Sequence, residues 1–255
     1  MNDSLSTVFD VQALADSLYA LREACRSQAT AEFSLPQNLV TAMQAQQALA
    51  AKEGVPGNAW KVAMSPDKHA VVAPLHPYVE TSRDAELPYL PGMKFEVEIA
   101  VRLGRSLPIK SDLYSREEIY DAVSEAYLGA ELLSSAIKEG GTLSFPLFVA
   151  DRIGNRGYVL GPAVPKTLVD TVGEAELIVT QGGNPIYKGP VKHPVGDVLA
   201  WLVAYANDSA RPANSLKAGA IITTGALSGA MLLPGSGKVE VLLSKVHALN
   251  VVLMA

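Results

Sequence analysis

The sequence predicts an α+β protein, with a helical N-terminal portion packed on a mostly antiparallel β body. Three observations lead there. Apolar residues recur at three- and four-residue spacing up to Lys52, and strict two-residue alternation takes over from Phe95 to Leu103. Short apolar runs separated by Gly and Pro fill the chain from Trp60 onward.

In chain order, the stretch from Val11 to Cys25 places Leu14, Leu18 and Leu21 on one helix face. Asn38 to Lys52 does the same with Leu39, Met43 and Leu49, and Gly54-Val55-Pro56-Gly57 breaks it. This break divides the chain into a helical portion over 1–57 and a β body over 58–255, expected to form one structural unit. Trp60 to Met64 reads as a strand. The Pro-rich, charged stretch from Ser65 to Gly92 suits either a cover over a site or an ordinary loop. Phe95, Val97, Ile99, Val101 and Leu103 form one face of a strand. Ser115 followed three residues later by Glu118 is a capping box, and its helix gives way to the apolar run from Ala126 to Leu133. Glu174 to Thr180, the turn Gln181-Gly182-Gly183-Asn184, and Ile186-Tyr187 make a β-hairpin. Gly196 to Ala206 is a predicted helix, and strands over Ala220–Thr223, Val239–Leu243 and Val246–Leu253 close the chain.

Composition narrows the function. The 255 residues are 49% hydrophobic and 18% charged, enough to bury a full core without disulfides. A net charge of −5 with no Lys/Arg cluster leaves no footprint for nucleic acid or an anionic membrane. An acidic substrate would therefore need a local cation. Cys25, the only cysteine, excludes an internal disulfide and Cys-pair zinc sites. Met1-Asn2-Asp3-Ser4 lacks the basic and apolar regions of a signal peptide, so a cytoplasmic location is expected.

Familiar motifs fail on detail. In Pro234-Gly235-Ser236-Gly237-Lys238, Leu232 stands where a phosphate loop needs Gly and Val239 where it needs Ser/Thr, so a hairpin turn is the better reading. Gly225-Ala226-Leu227-Ser228-Gly229 sets Ser one residue too late for a nucleophile elbow. The four histidines, His69, His76, His193 and His247, are scattered.

The carboxylates say more. Glu96 and Glu98 leave the same face of their strand with Ala100 and Arg102, a pattern that is usually just a solvated face. Glu131 is the only charged group between Ala126 and Leu133. Either it faces water from an edge strand, or burial obliges it to pair or to bind a cation. In the second case it completes an all-oxygen cage of the kind Mg²⁺ or Mn²⁺ favours. Lys61, inside the apolar run Trp60 to Met64, is a snorkelling surface lysine or a lysine whose pKa is depressed beside a cation.

At these residues the sequence resembles the 2-keto-4-pentenoate hydratase branch of the fumarylacetoacetate hydrolase superfamily. The landmarks are Trp60-Lys61-Val62, Phe95-Glu96-Val97-Glu98-Ile99-Ala100 and Gly129-Ala130-Glu131. They continue with Val149-Ala150-Asp151, Val159-Leu160-Gly161, His193-Pro194 before Trp201, Leu216-Lys217-Ala218-Gly219, Thr223-Thr224-Gly225 and Pro234-Gly235. The resemblance implies a mixed β-sandwich roll with N-terminal helices, and homo-oligomers. It implies Mg²⁺ or Mn²⁺ held by Glu96, Glu98 and Glu131, with a small 2-oxo acid chelating that metal through its carboxylate and 2-oxygen. Lys61 takes the proton-transfer role, and Thr224, Gly225 and Asp151 the substrate side.

Departures bear on the substrate. Leu133-Ser134-Ser135-Ala136 stands where the hydratases commonly read Val-Asp-Ser-Arg, Arg152 follows Asp151 in place of Asn, and Ala63 replaces a usual Gly. The stretch Val71 to Glu80 lacks a customary Asp, for which Tyr78 or Glu80 is a substitute proton handler. No histidine precedes His69, which disfavours the carbon–carbon bond hydrolases and their N-terminal His–Glu pair. The resemblance therefore implies a hydratase of 2-hydroxy-2,4-dienoates. The rivals are a decarboxylase of 2-oxo-3-enedioates with Lys138 or Arg152 as the extra cation, an acylpyruvate hydrolase, and a non-catalytic partner subunit.

Overall fold

The first helix, α1 (Val11–Glu23), begins where the Asp10 carboxylate accepts a hydrogen bond from Ala13 N–H, and α2 (Leu39–Lys52) where Asn38 accepts from Thr41 N–H. Each cap contributes about 1 kcal/mol. The computed structural model describes residues 9–82, 84–213 and 215–255. Residues 1–8, read above for a leader, lie outside them. Three further helices fall within the β body or its turns: α3 (Arg116–Ala122), α5 (Leu168–Thr171) and α6 (Ala200–Ala206), while α4 (Phe145–Ala150) belongs with α1 and α2.

Contacts divide the chain into two units, 1–55 with 135–154, and 56–134 with 155–255. The boundary expected at 57 thus gains a second piece, because 135–154 packs on the helices. In this helical unit Leu14, Leu18 and Leu21 of α1 meet Ala45 and Leu49 of α2, with Ile137, Leu147 and Ala150. The α2 stripe differs from the one expected. Ala42, Ala45, Gln46 and Leu49 are buried, whereas Leu39 and Met43 are only partly so. Small alanines allow the close approach, and buried Gln46 donates to the Val149 carbonyl at 2.6 Å. Polar atoms in this interior are paired, as burial demands.

The second unit is built from strands β1 (Ala59–Met64), β2 (Ala70–Pro74), β3 (Tyr78–Glu80), β4 (Ala85–Pro88) and β5 (Lys94–Leu103). It continues with β6 (Val123–Leu133), β7 (Asn155–Val164), β8 (Glu176–Gln181) and β9 (Asn184–Pro190). Last come β10 (Ile221–Ala226), β11 (Met231–Leu232), β12 (Gly237–Leu243) and β13 (His247–Met254). One sheet has the order β2-β1-β10-β5-β6-β7-β3 with β11 beside β5, and the other β4-β13-β12-β8-β9. Pairing is mixed: β1–β10, β3–β7 and β4–β13 are parallel and the rest antiparallel. The sheets face each other, with Leu249 of β13 against Gly161 and Leu87 of β4 against Gly157 of β7. This is the mixed α+β sandwich expected.

Three expectations change in detail. Ser65 to Gly92 is mostly spent on β2, β3 and β4, each hydrogen-bonded into a sheet, so it is neither a plain loop nor an irregular cover. Pro234 to Lys238 is not a hairpin turn. It carries the chain from β11, paired with β5, to β12 in the other sheet, because Leu233 N–H continues the first ladder by donating to Met93. The helix expected from Gly196 starts at Ala200, since the Asp197 carboxylate takes the Leu199 N–H in a turn.

Candidate metal centre

Register on β5 and β6 brings the carboxylates together. Glu96 stands opposite Glu131 and Glu98 opposite Gly129, so the three glutamates share one face of the larger sheet. Each offers an oxygen within 4.8 Å of the other two. Glu98 and Glu131 are 1% and 0% exposed and Glu96 partly buried, which rules out the solvated-face reading.

Lys61 reaches them from β1, where it pairs in register with Thr223 of β10. Its Nζ donates to both oxygens of Glu131 at 2.8 Å, and Asn155 Nδ2 donates to Glu131 Oε1 at 2.8 Å. Burial disfavours the Lys61 ammonium, but Glu131, Glu96 and Glu98 together outweigh it and raise its pKa. It is these three carboxylates that hold the lysine charged.

Burial raises the Glu96 carboxyl to about 7, with Lys61 opposing and Glu131 adding to the rise. Glu98 is raised to about 8, first by burial and then by Glu131 and Glu96. One buried lysine does not neutralise three buried carboxylates, and Glu98 Oε2 has no hydrogen-bond partner among the described residues. Such a donor set, with surplus negative charge and an unsatisfied oxygen, fits a hard divalent cation.

Thr224 and Gly225 lie at a register shift in β10 between Thr223 and Ala226, and Ala226 pairs with Glu98. The bulge brings this backbone beside the glutamates. Gly225 adopts φ +133°, and a Cβ there would come within 2.9 Å of His193 Nε2 and 3.3 Å of Trp201, so any side chain is strained there. The Thr224 hydroxyl donates to the Val198 carbonyl, and its own carbonyl lies 3.2 Å from His193 Nε2.

Asp151 is placed differently. It belongs to the helical unit, where Arg22 binds Oδ1 at 2.8 Å while Ser135 Oγ and Ala136 N–H donate to Oδ2 at 2.6 and 2.8 Å. Both its oxygens are therefore engaged in a structural network with Arg22. Arg152 pairs with Glu53 in the same unit at 3.0 Å, and Lys138 is exposed. Tyr78 donates to Glu80, which Arg102 also binds at 2.7 Å, and its half-buried ring stacks on Tyr158.

Three residues at the site escaped sequence reasoning. Asn155 and Tyr158 come from β7 and Thr223 from β10, and although Thr223 falls within a landmark, nothing in the sequence assigned any of the three a role.

Residues 26–251 match the family described as fumarylacetoacetate (FAA) hydrolase, C-terminal. The chain belongs to this family. Among solved structures it is similar to 4-oxalocrotonate decarboxylase from Pseudomonas putida G7, complexed with magnesium and adipate, at 17% identity over 96% of this chain and 97% of that one, with a TM-score of 0.77. It is also similar to 2-hydroxyhepta-2,4-diene-1,7-dioate isomerase from Mycobacterium marinum, at 19% identity, coverage of 78% and 75%, and a TM-score of 0.54. A third is maleylpyruvate hydrolase from Sphingobium sp. SYK-6, at 16% identity, coverage of 78% and 71%, and a TM-score of 0.52. At these identities the likeness is one of fold. Comparison by sequence with curated proteins gives no match. Among the described residues, no helix is long and apolar enough to cross a membrane.

Proposed function

We propose that this protein is a divalent-cation-dependent lyase acting on a small 2-oxo acid, and that it hydrates a 2-hydroxy-2,4-dienoate. The observation that carries the reading is the buried trio Glu96, Glu98 and Glu131 with Lys61 bound to one of them. Mg²⁺ or Mn²⁺ held there supplies positive charge where negative charge develops on the oxygens of a 2-oxo acid. Lys61 keeps its proton at Nζ and serves as the proton donor to the substrate's carbon chain. Asn155 fixes the Glu131 carboxylate from the other side. The bulge carrying Thr224 and Gly225 is the proposed seat of the substrate carboxylate. Both Asp151 oxygens are engaged by Arg22, Ser135 and Ala136, so this reading gives Asp151 no role toward the substrate.

One observation favours a second reading, decarboxylation of a 2-oxo-3-enedioate, the type of activity for which the Pseudomonas putida relative is named. A second carboxylate calls for a further cation. Lys94 leaves the same face of β5 as Glu96, is exposed, and acts electrostatically on it. Arg152 and Lys138, offered for this role from sequence, are respectively ion-paired in the helical unit and exposed there.

Metal analysis after dialysis against Mn²⁺ tests the centre: wild type should retain the ion, and Glu96→Gln and Glu131→Gln should lose it. Equal retention in all three refutes the reading. A substrate panel that follows ultraviolet loss of the dienol and release of CO₂ separately then decides the reaction. Dienol loss without CO₂ supports the hydratase. Release of CO₂, with a KM for the dioate that rises in Lys94→Gln, supports the decarboxylase, and silence on every substrate supports a non-catalytic partner. Lys61→Ala should reduce turnover far more than metal retention.

A further inference from the structure

Gly129 faces Glu98 across β5 and β6, and a side chain there is excluded by one neighbour. A Cβ built at Gly129 would come 2.0 Å from the Tyr158 hydroxyl oxygen and 2.7 Å from its Cζ. Tyr158, on β7, stands in register with Glu131. The phenol therefore leans from β7 across the bare backbone of β6 toward Glu98 on β5. Its ring is fixed from the other side by Tyr78, stacked at 6.4 Å between centroids and 5° between planes.

Thr223 approaches from β10 on the opposite side. Its hydroxyl acts as a hydrogen-bonding neighbour on both the Glu98 carboxyl and the Tyr158 phenol. Yet Glu98 Oε2, Thr223 Oγ1 and Tyr158 Oη all remain buried without a well-formed hydrogen bond among the described residues. Tyr158 and Thr223 are both 0% exposed, so water does not satisfy them from the surface. Buried polar atoms are rarely orphaned, and three converging at one carboxylate require a common explanation. Glu131, by contrast, is fully held by Lys61 and Asn155.

We propose that Tyr158 and Thr223 are positioning residues of the metal centre, two hydroxyl donors that converge on Glu98 and hold its carboxylate toward the cation. An ionised carboxylate offers about four lone-pair sites, so Glu98 can accept from both hydroxyls and still ligate a metal. Loss of a donor behind a ligand typically weakens metal affinity roughly 10- to 100-fold. Gly129 is required because the phenol must pass over it. The proposal rests on the metal-binding reading above.

The test is Mn²⁺ titration by calorimetry and electron paramagnetic resonance on wild type, Tyr158→Phe and Thr223→Val. Tyr205→Phe is the control, since it removes another buried phenol oxygen without a hydrogen-bond partner among the described residues, one that neighbours Ser215 and Arg211. Tyr158→Phe and Thr223→Val should each raise the Kd for Mn²⁺ at least about tenfold and change the Mn²⁺ resonance. Thermal unfolding of the metal-free variants should be unchanged or shifted upward, because an unsatisfied hydroxyl has been removed. Kd values within about twofold of wild type in both variants overturn the proposal. So does a loss of affinity that Tyr205→Phe reproduces along with a fall in Tm, which would make Tyr158 a packing residue. Wild type that takes up no Mn²⁺ defeats the metal reading, and this proposal with it, whereas normal wild-type uptake with unaffected variants defeats this proposal alone.

Discussion

Glu98 lies between apolar strand residues and faces two other carboxylates, and burial with that repulsion carries its pKa to about 8. Without a cation the native fold holds this group at a disadvantage that glutamine would not share. Glu98→Gln should therefore stabilise the metal-free protein at about pH 8 by on the order of 1–3 kcal/mol while abolishing Mn²⁺ uptake. Urea unfolding of dialysed protein checks the first part, and a variant less stable than wild type would contradict it. At this scale the sequence was partly legible. Glu131 stood out because it is the single charge in an apolar run, and the run is apolar because Glu131 and its neighbours are fully buried. Thr223, Tyr158 and Asn155 were silent because a hydroxyl or amide within an apolar strand has no meaning until register shows what it faces. For Asp151, nothing in the sequence pointed to its partner Arg22, which lies far away in the chain.

Among elements, local signals carried through where the physics is local. The capping box of α3 is present as read, with Ser115 accepting from Glu118 N–H at 3.1 Å and Glu118 accepting from Ser115 N–H at 2.8 Å. Ser115→Ala should lower stability by about 1 kcal/mol without altering metal affinity, as urea unfolding and Mn²⁺ titration would show. The bulge in β10 could not be read from sequence, because it depends on what β5 presents opposite and on the His193 ring above it. Gly225→Ala should cost on the order of 1–3 kcal/mol, since its Cβ meets the imidazole and its φ of +133° suits glycine alone. If the bulge seats the substrate carboxylate as proposed, the substitution should also raise KM for the proposed 2-oxo acid, because Thr224 and Gly225 move together. A variant of unchanged stability would mean that the His193 ring moves aside freely. Long-range pairing also explains why Pro234 to Lys238 looked like a hairpin: its residues are turn-formers, and only the partners of β11 and β12 reveal a crossing between sheets.

For the molecule as a whole, the glutamate trio sets a pH dependence. Glu96 and Glu98 titrate near 7 and 8 in the native state, against an ordinary value of 4.5. Between these values the native state retains protons the unfolded chain has released, so stability falls as pH rises and the decline is complete above about 8. His193, whose pKa is lowered by burial, works in the opposite direction around and below its ordinary value of 6.5. The comparison is therefore best made between about pH 6.5 and 8.5. Calorimetry of metal-free protein should show a lower Tm at the higher pH, and saturating Mn²⁺ should flatten the difference, since ligand bound to the native state adds stability as pH rises. A flat metal-free profile would show that the carboxylates are not strained. A different consequence follows from the path of the chain between β6 and β7. Leu133 pairs with Asn155, so residues 134–154 form a detour whose two ends meet in the sheet, a few residues from the Glu131–Asn155 hydrogen bond. In polymer terms the ladder has already closed the loop, and doubling the length of such a loop costs only about 0.6 kcal/mol in chain entropy. Because the ladder already holds both ends, a change inside the excursion falls first on the helical core, which takes Ile137, Leu147 and Ala150 from it, while the spacing of Glu131 and Asn155 is kept by the strands.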